Sequence, residues 1–179
     1  MSVLLLAPPT MLASLPDSAR AWFFTADRQL APTERTNLLE SLSPFLREWQ
    51  SHGRPVPAEA TVLYDRFLIV GAHIDDDAPN AGVSGCGIDA MTHAVMNAAE
   101  AVGVAWVDGL QIAYAQPDGT PCVVSRRAFR ALARDGIVDG ATPVFVTTLA
   151  TVGAVRSQGL RQPASDAWHG RTFRLAETA

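Results

Sequence analysis

The chain contains no lysine: all fourteen of its basic residues are arginine. That absence removes a Walker A lysine, a Schiff-base lysine and a lysine general base from consideration. Cysteine is nearly as scarce. Cys86 and Cys122 allow at most one disulfide, which excludes the disulfide framework of a small secreted domain. Charged residues make up only 18% of the chain, with a net charge of −4 at pH 7. So mild an acidic balance gives no general attraction to nucleic acid or to anionic lipid. Long apolar runs are also missing. The opening "MSVLLLAPPT" has no positive charge before its apolar residues, and Pro8-Pro9 end the run, so it does not read as a signal peptide. Nothing approaches the ~20 apolar residues of a membrane span. The expectation is a cytoplasmic protein with no membrane partner and with nucleic acid disfavoured.

What is present suits a folded domain. At 179 residues and 48% apolar, the chain is long enough for one real core, or for a core with a small appended module. "AWFFT" (21–25) reads as a strand. Leu38, Leu42, Phe45 and Trp49 recur at helical spacing, with Pro44 placed to kink that helix or restart it. "EATVLYDRFLIVGAHI" (59–74) is β-branched and aromatic, and Tyr64-Asp65-Arg66 divides it into two strands. After the acidic loop "DDDAPNAG", Ile88, Met91, Val95, Ala98 and Val102 form one face of a second helix. "GVAWV" then reads as a short strand. This order is β-α-β-β-α-β, which suggests a small mixed or antiparallel sheet, ferredoxin-like in its order, with two main helices on one face.

From Leu110 the texture changes. "QIAYAQPDGTPCVVS" reads as a hairpin with a Pro-Asp-Gly turn. Ser125 caps a short helix that Gly136 closes, and "TPVFVTT" is a last strand. The expected class is therefore α+β, with a C-terminal hairpin-helix-strand extension. Residues 1–14 form a flexible arm, 15–109 the core, and 110–179 the extension with a docked, irregular tail.

Several motifs add up across residues 15–173. "LPDSARAWFF", "YDRF", "SGCGID" and "DAWHGRTF" together resemble a family of small bacterial proteins with no established activity, whose members often bear the name "ABC transporter ATPase". The chain departs from that family at Gly87 and Ala167, both usually serine, and in its N-terminal arm. The inherited name conflicts with the residues. An ABC ATPase needs a glycine-rich loop ending in Lys-Ser/Thr, and here the loop and the lysine are both missing. Residues 112–146 are similar in order to bacterial GYF-like modules, although the Gly-Tyr-Phe signature is absent; the resemblance implies protein or peptide binding.

The residues able to carry chemistry lie mainly in two of these motifs. Cys86 stands where a helix begins, three residues before Asp89, and a thiol at the positive end of a helix dipole favours thiolate. The bland alternative is a small residue in a tight turn. His169, beside Trp168, supplies the imidazole that a Cys-His pair requires. Cys86, His169 and Asp89 are thus the candidate catalytic residues. Ser84, Gly85, Arg66 and Trp168 are candidate ligand contacts, although Arg66 reads more readily as the salt-bridge partner of Asp65. "HIDDD" (73–77) fails the calcium-loop template: Pro79 falls at the fifth position and Cys86 at the twelfth. His73, His93, His169 and Cys86 lack zinc-finger spacing. No metal and no cofactor is expected. Arg126, Arg127, Arg130 and Arg134 read as a solvated helix face, with a phosphate or acidic-peptide surface as the lesser alternative.

Two functions compete at this level. One is a small protein using Cys86, Asp89 and His169 for a thiol-dependent reaction or for small-ligand binding. The other is a non-catalytic adaptor that binds a protein or peptide through the GYF-like part. A homodimer is left open by either.

Overall fold

The computed structural model describes residues 11–73 and 82–175. It begins with β1 (Arg20–Thr25) and α1 (Pro32–Glu48), followed by the two-residue strands β2 (Gln50–Ser51) and β3 (Arg54–Pro55). Next come β4 (Ala58–Leu63), β5 (Phe67–Ala72) and α2 (Gly85–Ala101). The C-terminal part contains β6 (Ile112–Ala115), β7 (Pro121–Val124), α3 (Arg126–Arg134), β8 (Pro143–Phe145), α4 (Val152–Gln158), β9 (Arg161–Pro163) and α5 (Trp168–Phe173). The class is α+β, and all strand pairing is antiparallel.

The first sheet has the order β1-β5-β4. Its central strand β5 is buried along its whole length because both of its faces are covered. Leu68, Val70 and Ala72 face α1 and α2, where Leu38, Leu42, Met91 and Val95 complete the main core. Ile69 faces the opposite side, where Met11, Leu12, Leu15, Val152 and Val155 cover it. Gly71 shares that face: a Cβ there would lie 2.7 Å from Leu15 Cδ1 and 3.1 Å from Val152 Cγ2. Glycine is required because helix α4 and the arm close directly onto the strand.

Three expectations need correction. The stretch expected to form the fourth strand, 103–107, makes a single bridge from Trp106 to Ala26 at the edge of β1, so the four-stranded ferredoxin-like sheet is not completed. Pro44 does not restart α1, which runs through it as one helix. An interior proline removes one backbone bond, and the buried Leu38 and Leu42 hold the helix on the core regardless. The third correction concerns the arm. From Met11 it is docked, with Arg156 donating to the carbonyls of Met11, Leu12 and Leu15 at 2.6–3.3 Å and to Asp17 Oδ1 at 2.7 Å. Residues 1–10 of the arm, and most of the "HIDDD" loop, lie outside the described residues.

The second sheet has the order β7-β6-β8-β9. Its strand β9 and helix α5 occupy the tail expected to be irregular, and α4 precedes them. Phe173 is buried and Trp168 half-buried against Phe129 and the rest of the C-terminal cluster, so the tail docks as expected. Gly170 makes the docking possible. Its N–H reaches the Ala164 carbonyl at 2.7 Å, and a Cβ there would lie 2.7 Å from that same oxygen. A separate apolar cluster joins the two sheets: Phe67, Phe23 and Leu63 from the first meet Ala113, Ala115, Phe145 and Leu160 from the second.

Candidate functional site

The α2 N-terminus is built as a structural cap. Ser84 is the N-cap, and its Oγ accepts from Gly87 N at 3.1 Å. The Ser84 N–H donates to Ser51 Oγ at 3.0 Å, and Ser51 Oγ donates to Ser84 Oγ at 3.2 Å. Ser51 is buried, so the whole motif is tied to β2. Gly87 is buried as well, and a Cβ there would meet Val83 Cγ1 at 2.9 Å. Local crowding therefore favours glycine at position 87. Gly85 faces open space.

Cys86 sits in the first turn of α2 with its side chain exposed and with no hydrogen bond among the described residues. Asp89 and His93 are exposed too, and they form no ion pair with each other. The helix start expected for Cys86 is present. The structure does not bring His169 to it. His169 lies in α5, 2% exposed, stacked on Trp168 at 3.9 Å and edge-on to Phe129 at 6.2 Å. Its Nδ1 is enclosed without a hydrogen-bond partner. Burial, reinforced by the nearby Arg126 guanidinium, pushes its pKa down from the ordinary 6.5 to about 4. A neutral imidazole fixed among aromatic rings is a packing element, and the motif that carries it anchors the tail.

A different set of residues converges at the seam between the two sheets. Asp27, Arg28 and Gln29 from the β1–α1 loop, Arg66 from the start of β5, and Gln116, Thr120, Pro121, Cys122 and Val123 from the second hairpin line an open recess of about 390 Å³. That volume falls within the range of small-molecule sites. Arg66 organises it. Its Nε donates to the Ala26 carbonyl at 3.0 Å, its Nη2 to the Asp27 carbonyl at 2.9 Å and its Nη1 to the Pro121 carbonyl at 3.0 Å. The expected Asp65–Arg66 pair is absent; Asp65 is bonded instead to Arg35. Tyr64 and Asp65 adopt left-handed backbone (φ 52° and 50°) in the turn closed by Arg66 N and the Leu63 carbonyl at 3.1 Å. That tight turn aims the Arg66 side chain across the seam.

Cys122 forms part of the recess wall and is half-buried, with its thiol free. It lies directly opposite Tyr114 in the β6–β7 register, so the two side chains share one face of the second sheet. Burial first, and the thiol contact second, raise the Tyr114 pKa above its ordinary 10.0. Arg28 at the rim is held by Glu34 through two bonds of 2.8 Å. Glu34 also accepts from Ala31 N at the start of α1, and the Arg28 bond foremost takes its carboxyl down from 4.5 to about 2. Of the sequence candidates, only Arg66 lines this recess. The others it brings together were missed, because strand and loop positions in distant segments carry no shared spacing.

Among the described residues, no group of three or more His, Cys, Asp or Glu is placed to hold a metal ion, and no helix is long and apolar enough to cross a membrane. Comparison with known protein families, curated proteins and solved structures found nothing that matches this chain.

Proposed function

We propose that the chain binds a small polar ligand in the recess between its two sheets, with Cys122 rather than Cys86 as the thiol that faces it. One observation carries this reading: Cys122, Arg66, Thr120 and Gln116, from separate segments, line a single concavity large enough for a metabolite. The exposed position of Cys86 on a capped helix turn offers neither enclosure nor an imidazole, and weighs against a Cys86–His169 reaction.

The test is competitive alkylation read by mass spectrometry. Iodoacetamide should label Cys86 quickly, because it is exposed, and Cys122 more slowly. A compound drawn from a panel of polar metabolites should slow labelling of Cys122 and leave Cys86 unchanged. The same compound should raise the melting temperature of the wild type but not of Cys122→Phe, whose ring fills the recess. If no compound protects Cys122, or if protection falls on Cys86, the recess is only a seam and the reading fails.

A further inference from the structure

The nine residues of α3 include four arginines and no acid, in a chain whose net charge is −4. Arg126, Arg127 and Arg130 are exposed, and none forms an ion pair or side-chain hydrogen bond among the described residues. Arg134 has only a 3.8 Å contact to Asp135, with both side chains mostly in solvent. Two of the guanidiniums are nevertheless held in place. Arg126 lies over the Trp168 ring at 5.5 Å and over Phe173 at 5.9 Å, and Arg130 lies over Phe173 at 5.8 Å. A guanidinium resting on an aromatic face loses little further freedom when its N–H groups bind a carboxylate, and its planar fork matches that group. Two arginines in the first turn also oppose the helix dipole, an arrangement that fold stability alone does not favour.

We propose that this face of α3 docks an acidic segment of another protein. Arg126, Arg130 and Arg134 follow one another at one-turn spacing over about 12 Å, which is longer than one phosphate and suited to a row of carboxylates. The rings beneath already contact His169 and the guanidiniums, so they are poorly placed to stack on nucleic-acid bases. Ile137, three residues beyond Arg134, is 65% exposed and gives a protein partner an apolar anchor at the end of the stripe. None of these residues lines the recess, so the surface stands or falls independently of it.

Fluorescence anisotropy with a labelled Glu-rich peptide bearing one leucine tests the proposal. The wild type should bind it at low salt, and binding should weaken as salt rises. Arg126→Gln with Arg130→Gln and Arg134→Gln should weaken binding ~10-fold or more and flatten the salt dependence. The charge-matched set Arg20→Gln, Arg47→Gln and Arg54→Gln, all exposed, should change it less than ~2-fold. Absence of wild-type binding, or equal loss in the two sets, would overturn the proposal. So would tighter binding of a single-stranded oligonucleotide through the same arginines, which would make the partner a nucleic acid. A wild-type dimer that the first set converts to monomer in sedimentation would make the occupant a second copy of this chain.

Discussion

Acidification acts on His169 before it acts on any structural carboxylate. The folded pKa is about 4 and the ordinary value 6.5, so between those limits the unfolded chain binds more protons than the folded one. The His169 contribution to stability should therefore fall as pH drops from about 6.5 to about 4 and level off below, where protonation of Glu34 takes over. The loss is on the order of 3 kcal/mol. Melting curves across that range measure it, and His169→Phe, which keeps a ring against Trp168 and Phe129, should remove most of the slope. An unchanged slope in that variant would place the titrating group elsewhere. Gly170 allows a second test at the same scale. Gly170→Ala would drive a methyl into the Ala164 carbonyl, and should cost ~1–3 kcal/mol as the last turn shifts away. Retention of the wild-type melting temperature would show that the tail can re-seat.

Among the elements, the arm and α4 depend on each other. Arg156 holds three arm carbonyls and Asp17, and Met11, Leu12 and Leu15 complete the face of β5. Arg156→Met should leave the Met11 and Leu15 carbonyls without their donor, lower the melting temperature by several degrees and expose the arm to limited proteolysis before Ala19. An arm that stays protease-resistant would mean that its apolar contacts suffice. The legibility of the sequence divides along the same lines. Helix α2 was readable because Met91, Val95 and Ala98 repeat on a strong period, and the β4–β5 hairpin because polar Tyr64-Asp65-Arg66 interrupts a β-branched run. Helices α4 and α5 were not, since seven and six residues hold too few turns for a period to show. Docking of the arm was hidden by Pro8-Pro9, which suggested a loose start; its partner, Arg156, is more than a hundred residues away. For the site, the helix start at Cys86 was legible from Ser84 and its glycines. The positions of Cys122 and His169 depend on how the two sheets meet, which no local pattern encodes.

At the scale of the whole molecule, three features join the two sheets: Arg66, the cluster around Phe67 and Phe145, and α4 on the face of β5. Arg66→Met keeps the apolar stem and removes the bonds to Ala26, Asp27 and Pro121. Denaturant unfolding followed by tryptophan fluorescence and by circular dichroism should give coincident transitions for the wild type. In the variant the two should separate, with the second sheet melting first. Coincident transitions in Arg66→Met would show that the aromatic cluster and α4 couple the sheets without it.

The closure of the arm over β5 also bears on how the chain is made. The apolar face of Ile69 is finished by residues from both sides of it in sequence, Met11 to Leu15 and Val152 to Val155. During synthesis the first sheet and its helices can assemble on the α1–α2 side as soon as α2 has emerged. Its other face stays bare until α4 has been translated, because Arg156 is needed to hold the arm. Late closure over so long a loop leaves a nascent chain with an apolar strand face exposed from the completion of β5 until α4 is made. A ribosome-bound chain halted before Val152 is thus the form in which this protein is most open to chaperones and to aggregation.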